Sequence, residues 1–120
     1  MTGDRPRDQP VLSSHVVGKD LDVVTFVRNY MQFVFDDATL TAYGSVSVTT
    51  PDGETTNGMS CFADRLRGLI GKVVMTATER DDNGLELVFA DASMIRISPE
   101  PSLPEVAMLQ VGDGSIWAVW

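Results

Sequence analysis

The sequence predicts a mostly β, antiparallel fold of about eight strands, set out as two repeated three-strand meanders plus a C-terminal hairpin, with one short helix between the repeats. Three observations predict it. An apolar-Gly-Lys step opens two similar stretches, Val17-Gly18-Lys19 and Ile70-Gly71-Lys72, and the likeness continues beyond both. Within them apolar residues recur at a period of two, the spacing that lays one face of a strand on a core. Turn-forming residues interrupt the pattern at short intervals, as in Pro51-Asp52-Gly53, Asp82-Asn83-Gly84 and Gly112-Asp113-Gly114.

Taken in order, residues 1–14 are polar, hold two prolines and lack periodicity, so they read as a flexible arm ahead of a single β domain over 15–120. Repeat one covers 17–50, with runs from Leu21 to Arg28, from Tyr30 to Phe35, and a longer one from Thr39 to Thr50 broken by Gly44. The turn at Pro51-Asp52-Gly53-Glu54 folds the chain back into Thr55-Thr56. A linking helix is predicted over 59–70, because Met59, Phe62, Leu66 and Leu69 recur at spacings of three and four; Asn57 or Ser60 can cap it, and Gly68 or Gly71 can end it.

Repeat two, 70–98, has the clearer grammar. A β-branched run from Val73 to Glu79 ends at Asp81-Asp82-Asn83-Gly84, where Asn-Gly supplies the positive φ angles of a tight hairpin. Leu85, Leu87 and Phe89 then alternate with Glu86, Val88 and Ala90. A further turn at Asp91-Ala92 leads into Met94 to Ser98, which Pro99 and Pro101 halt because proline cannot donate to a ladder. With one residue of gap, Thr25 matches Thr78, Asn29 matches Asn83, and Val34-Phe35-Asp36-Asp37-Ala38 falls on Val88-Phe89-Ala90-Asp91-Ala92. Phe35 and Phe89 should therefore both be buried, with Asp37 and Asp91 at related turns. The terminal hairpin, 105–120, turns at Gly112-Asp113-Gly114, and its alternation puts Trp117 and Trp120 on opposite faces, one toward the core and one nearer the surface.

Composition limits the function. A chain of 120 residues with 43% apolar and 22% charged residues is one ordinary globular domain. Cys61 is the single cysteine, so no internal disulfide can form, and a reducing, cytoplasmic setting fits best. Neither a signal-like nor a membrane-spanning apolar stretch occurs, so no membrane association is expected. Seventeen acidic against nine basic residues give a net charge of −8, which opposes binding to nucleic-acid phosphates and favours a basic protein as partner.

Candidate chemistry is sparse. His15 has Ser13 and Ser14 beside it, yet triads are made by groups that meet in space. Cys61 reads as a buried, inert thiol beside Phe62, with Arg65 and Arg67 nearby. Asp37 and Asp91 are the candidate catalytic carboxylates if a pseudo-twofold brings them together, although aspartate is also a favoured turn residue. No spacing of ligands points to a metal, and no cofactor is implied. Trp117 and Trp120 are the candidate binding residues. The last strand has no successor in the chain to cover it, so a homo-oligomer through an exposed edge is a further expectation.

The two openings and the closing steps Phe35-Asp36-Asp37 and Phe89-Ala90-Asp91 resemble those of a loose group of small bacterial two-repeat β proteins, some of them immunity-like partners of toxins. The likeness spans about residues 16 to 120. It departs at Glu105-Val106-Ala107-Met108, where that group often has an aromatic after the glutamate, and no functional residue carries over. The leading expectation is a non-enzymatic binding protein, an immunity-like inhibitor of a basic partner. The alternatives are a small hydrolase using Asp37 and Asp91, and a small-ligand binder with a pocket between the repeats.

Overall fold

The computed structural model describes residues 11–112 and 114–120, which form ten strands and two short helices. The order is α1 (Val11–Val16), β1 (Val23–Val27), β2 (Tyr30–Phe35), β3 (Ala38–Ala42), β4 (Ser45–Thr50), β5 (Gly53–Thr56), α2 (Phe62–Arg67), β6 (Val74–Glu79), β7 (Leu85–Phe89), β8 (Met94–Ser98), β9 (Ala107–Val111) and β10 (Ser115–Val119). Two antiparallel five-stranded sheets result, ordered β1-β2-β3-β9-β10 and β5-β4-β8-β7-β6. The meanders β1-β2-β3 and β6-β7-β8 are the two predicted repeats, and each heads one sheet. The last two strands of each unit cross over: β4 pairs with β8 and β9 with β3. Each sheet is thus three strands of one unit and two of the other.

A pseudo-twofold axis runs through the two Gly-Lys steps. Gly18 N donates to Val74 O at 2.8 Å and Gly71 N to Leu21 O at 2.7 Å, while Leu21 N donates to Lys72 O and Val74 N to Lys19 O, both at 3.0 Å. The donors and acceptors exchange under a constant offset of 53 residues, and Asp20 bridges Val73, its own counterpart. Such reciprocity is what an isologous contact requires. Both glycines have positive φ, +83° and +92°, which lets the chain turn into the bridge.

The gap visible in the aligned sequence lies in a turn. Val27 pairs with Tyr30 across the two-residue turn Arg28-Asn29, whereas Arg80 N bonds Gly84 O across the three residues 81–83. Asn83 there adopts φ +69° as expected, but Gly84 does not have positive φ. Glycine is needed at 84 because a Cβ would come 2.9 Å from Asp82 Oδ1 and 3.2 Å from Ile97 O.

The core is the union of the two inner faces. Met31, Phe33 and Phe35 from β2 meet Leu85, Leu87 and Phe89 from β7, with Leu40, Val46, Val48, Ile95, Ile97 and Leu109, all buried. Phe35 and Phe89 are fully enclosed, as the alternation requires. The run from Thr39 to Thr50 is two strands, because Gly44 makes a corner that carries the chain from one sheet to the other. Tyr43 N and Gly44 N both donate to Val106 O, and a Cβ at 44 would collide with the Ser98 carbonyl. This corner, with the short β5, accounts for ten strands where the pattern counts about eight.

Two boundaries shift. The flexible arm expected over 1–14 falls partly outside the described residues, and its last part is α1, with Val11 and Leu12 buried. Its first turn is held by a distant group, since Leu12 N donates to Glu79 Oε2 at 3.1 Å. The linking helix expected over 59–70 is shorter, starting at Phe62 with Cys61 at its N-cap and no side-chain cap. Gly58 at φ +98° and a bond from Thr56 N to the Met59 sulfur place residues 57–60 in a turn instead. The helices fill related but unequal places: α1 packs on β6 and β10, and α2 on β4 and β5. No helix among the described residues is long and apolar enough to cross a membrane.

Candidate functional site

The axis end of the molecule gathers most of its chemistry. Both β1 and β6 start there, and the β2–β3 and β7–β8 turns flank those starts, as the pairs Val23↔Val34 and Val74↔Phe89 show. Gly112 N donates to Asp37 O, which brings the β9–β10 turn alongside, and the β4–β5 turn lies beside the β7–β8 turn. Asp20, Asp22, Asp36, Asp37, Asp52 and Asp91 all belong to these segments and are exposed.

Two ion pairs repeat about the axis. Lys19 Nζ meets Asp36 Oδ2 at 3.3 Å, and Lys72 Nζ meets Asp91 Oδ2 at 2.9 Å. The counterpart of Asp91 is therefore Asp36, not Asp37 as the aligned sequence suggests. The two turns differ in build. Asp36 itself takes φ +57° in a two-residue turn, whereas the Phe89–Ser93 loop puts Ala92 at φ +72°. The Lys72 ammonium beside it and the hydrogen bond from Ser93 N hold the Asp91 carboxyl down at about 2, from 3.8. A group so acidic is ionised at neutral pH and is a poor proton donor.

The carboxylates proposed as a catalytic pair are not brought together. Asp91 lines a recess of about 420 Å³ with Thr50, Pro51, Asp52, Cys61, Asp64, Arg65, Leu69 and Lys72. Asp37 lines a separate one of about 90 Å³ with Thr39, Gln110 and Gly112. The larger recess sits where the first unit's β4–β5 turn meets α2 and the second unit. Its cations are engaged: Arg65 donates to Gly53 O at 2.8 Å and Asp52 O at 3.4 Å, and Lys72 is paired with Asp91.

Cys61 is exposed rather than buried, because the helix begins one residue after it and its apolar face starts at Phe62. Ser60 Oγ lies 3.9 Å from its sulfur, and neighbouring Arg67 is paired with Asp64. His15 lies on α1, with Ser14 Oγ 3.5 Å from its Nδ1. That nitrogen is also 3.0 Å from Val11 O, a carbonyl that can only accept, so the bond puts the proton on Nδ1 and leaves it unable to take one from Ser14. Among the described residues no group of three or more His, Cys, Asp or Glu side chains is placed to hold a metal ion.

Trp117 and Trp120 divide as the alternation implies. Trp117 is 54% exposed at a bulge in β10 and rests against the His15 ring at 4.8 Å. Trp120 packs on the core and donates from Nε1 to Glu79 Oε1 at 2.8 Å. Glu79 thus fastens both α1 and the chain's last residue to β6, a role that sequence reading missed because its partners are 67 and 41 residues away.

Fold and site define a duplicated, two-sheet antiparallel β protein with an acidic axis end. No family model matches the chain, and neither the curated proteins nor the solved structures yield a match.

Proposed function

We propose that the chain is a non-enzymatic protein-binding module, acting in the cytoplasm as an immunity-like inhibitor whose axis end receives a basic partner. The observation that supports this most is the use of charge. Six aspartates share the axis end with two lysines, each of which is already paired with one of them, and with Arg65, which is bound to the backbone of the β4–β5 turn. Among the described residues the carboxylates of Asp20, Asp37 and Asp52 have no partner within the molecule, so they are available to a cationic surface. Opposite potentials raise the rate of encounter and orient it.

The test is a triple variant. Asp20→Asn, Asp37→Asn and Asp52→Asn together remove three charges without breaking an ion pair, so stability should change by less than about 1 kcal/mol. Binding to the basic protein captured from the host should weaken at least tenfold, chiefly through a slower association rate. Unchanged association would refute the reading.

The recess of about 420 Å³ supports a second reading, a small-ligand binder, since its size and mixed lining suit a compact molecule. A ligand held there would raise the melting temperature of the wild type, and Cys61→Arg, at an exposed position of the lining, would abolish that rise.

A further inference from the structure

Four strands are edges: β1 and β10 in one sheet, β5 and β6 in the other. Three are blunted in ways that deter pairing. The strand β10 has a bulge between Ile116 and Ala118, and β5 has only four residues, one of them Glu54. The strand β6 is bulged near Met75, ends in Glu79 and has α1 packed against it. The counterpart β1 has none of these devices. Its sequence, Val-Val-Thr-Phe-Val, contains no charge, proline or glycine, its register is regular, and α2 meets it through the edge of Phe62 against Phe26. Val23, Phe26 and Val27 are 46%, 49% and 39% exposed.

The outer face next to this edge is uncharged as well. Thr25 stands beside Gln32, which donates to Thr41 Oγ1 at 3.2 Å. In the other sheet the same positions hold an ion pair, Glu86 with Arg96 at 2.9 Å. Val23, Val27, Tyr30 and Val34 complete a face with no carboxylate, on a chain of net charge −8.

We infer that β1 pairs antiparallel with β1 of a second copy, joining two five-stranded sheets into one of ten strands about a twofold axis at Thr25. The strand is nearly palindromic about that residue: Val23 falls opposite Val27 of the second copy, Val24 opposite Phe26, and Thr25 opposite itself. The backbone parity agrees. In a two-residue hairpin the flanking pair, Val27 and Tyr30, is hydrogen-bonded, so Val23, Thr25 and Val27 direct their N–H and C=O groups to β2. Val24 and Phe26 then point theirs to the open edge, and in this register they satisfy one another. Just beyond the strand, Asp22 falls opposite Arg28 of the second copy, twice by symmetry. Arg28 is the one described lysine or arginine with no ion-pair or hydrogen-bond partner in the molecule, and Asp22 is exposed. This match of opposite charges, together with the palindrome, selects a second copy over an unrelated strand. The proposal goes beyond the basic-partner reading and shares only Asp22 with it.

Sedimentation equilibrium over a wide concentration range tests it. The wild type should show a monomer–dimer equilibrium. Thr25→Lys sets like charges face to face on the axis and should weaken dimerisation at least tenfold, with the thermal melt of the monomer unchanged. Arg28→Glu should weaken it similarly, and adding Asp22→Arg should restore it to within about threefold of wild type. A wild type that stays monomeric to about 1 mM would overturn the inference and leave the edge to a strand from another protein. A dimer indifferent to Thr25→Lys would place the interface elsewhere, and a failed charge-swap rescue would overturn the register.

Discussion

At the residue scale the axis ion pairs are the most legible chemistry in the structure, and they act as fasteners. Asp91 has a folded pKa of about 2 against 3.8, so it stabilises the fold at pH values above about 4, and that contribution is lost as pH falls through 2. The side chains of Asp91 and Lys72 are each 38% exposed, so solvent screening limits the pair to roughly 1 kcal/mol or less. Lys72→Met should therefore cost up to about 1 kcal/mol in urea unfolding at pH 7, and the difference from wild type should close near pH 2. A gap that persisted at pH 2 would mean that Lys72 acts through packing. Phe89 offers a larger effect. Phe89→Ala should cost roughly 3–5 kcal/mol, and Phe35→Ala should match it if the two repeats share one core equally. A loss below about 1 kcal/mol at either would make that residue peripheral.

At the element scale the sequence reveals the meanders but not what joins them. Strand alternation is local, so Leu85, Leu87 and Phe89 announce their shared face, and the Gly-Lys steps mark the start of each unit. The exchange of β4 and β9 between sheets is not local; it follows from the Gly44 corner and from pairing 45 or more residues apart in sequence, where Thr49 meets Met94 and Val46 meets Ile97. Asp36 could not be told from Asp37 because the two turns differ in length, which shifts the alignment by one residue where it matters. Helix α1 escaped notice because six residues hold too little periodicity, and its N-terminal bond comes from Glu79. Glu79→Gln should be informative. One amide oxygen can serve only one of the two donors, Leu12 N and Trp120 Nε1, and the amide nitrogen would face the other. A loss of about 1–2 kcal/mol is expected in thermal or urea unfolding, with Glu79→Ala costing more. Equal stability of all three proteins would show that α1 and the C-terminus are held by apolar packing alone.

At the scale of the whole molecule, duplication has produced two halves that differ in their surroundings. One sheet has an outer face crossed by the Glu86 ion pairs and a bulged edge with a helix packed against it; the other has a neutral face and a bare edge at β1. The aspartates collect at the axis end, where the four turns and two strand starts converge. Function on this view is a matter of surface rather than of a buried catalytic centre, which is why a sequence without recognisable catalytic spacing could give only its charge as a guide. The measurement that tests this most directly is the association rate of the chain with its captured protein partner as a function of ionic strength. Between 0.01 M and 1 M salt the screening length falls from roughly 30 Å to roughly 3 Å. The rate should drop steeply across that range while dissociation changes little, and the partner should be basic. An acidic partner, or an association rate flat across that range, would contradict it.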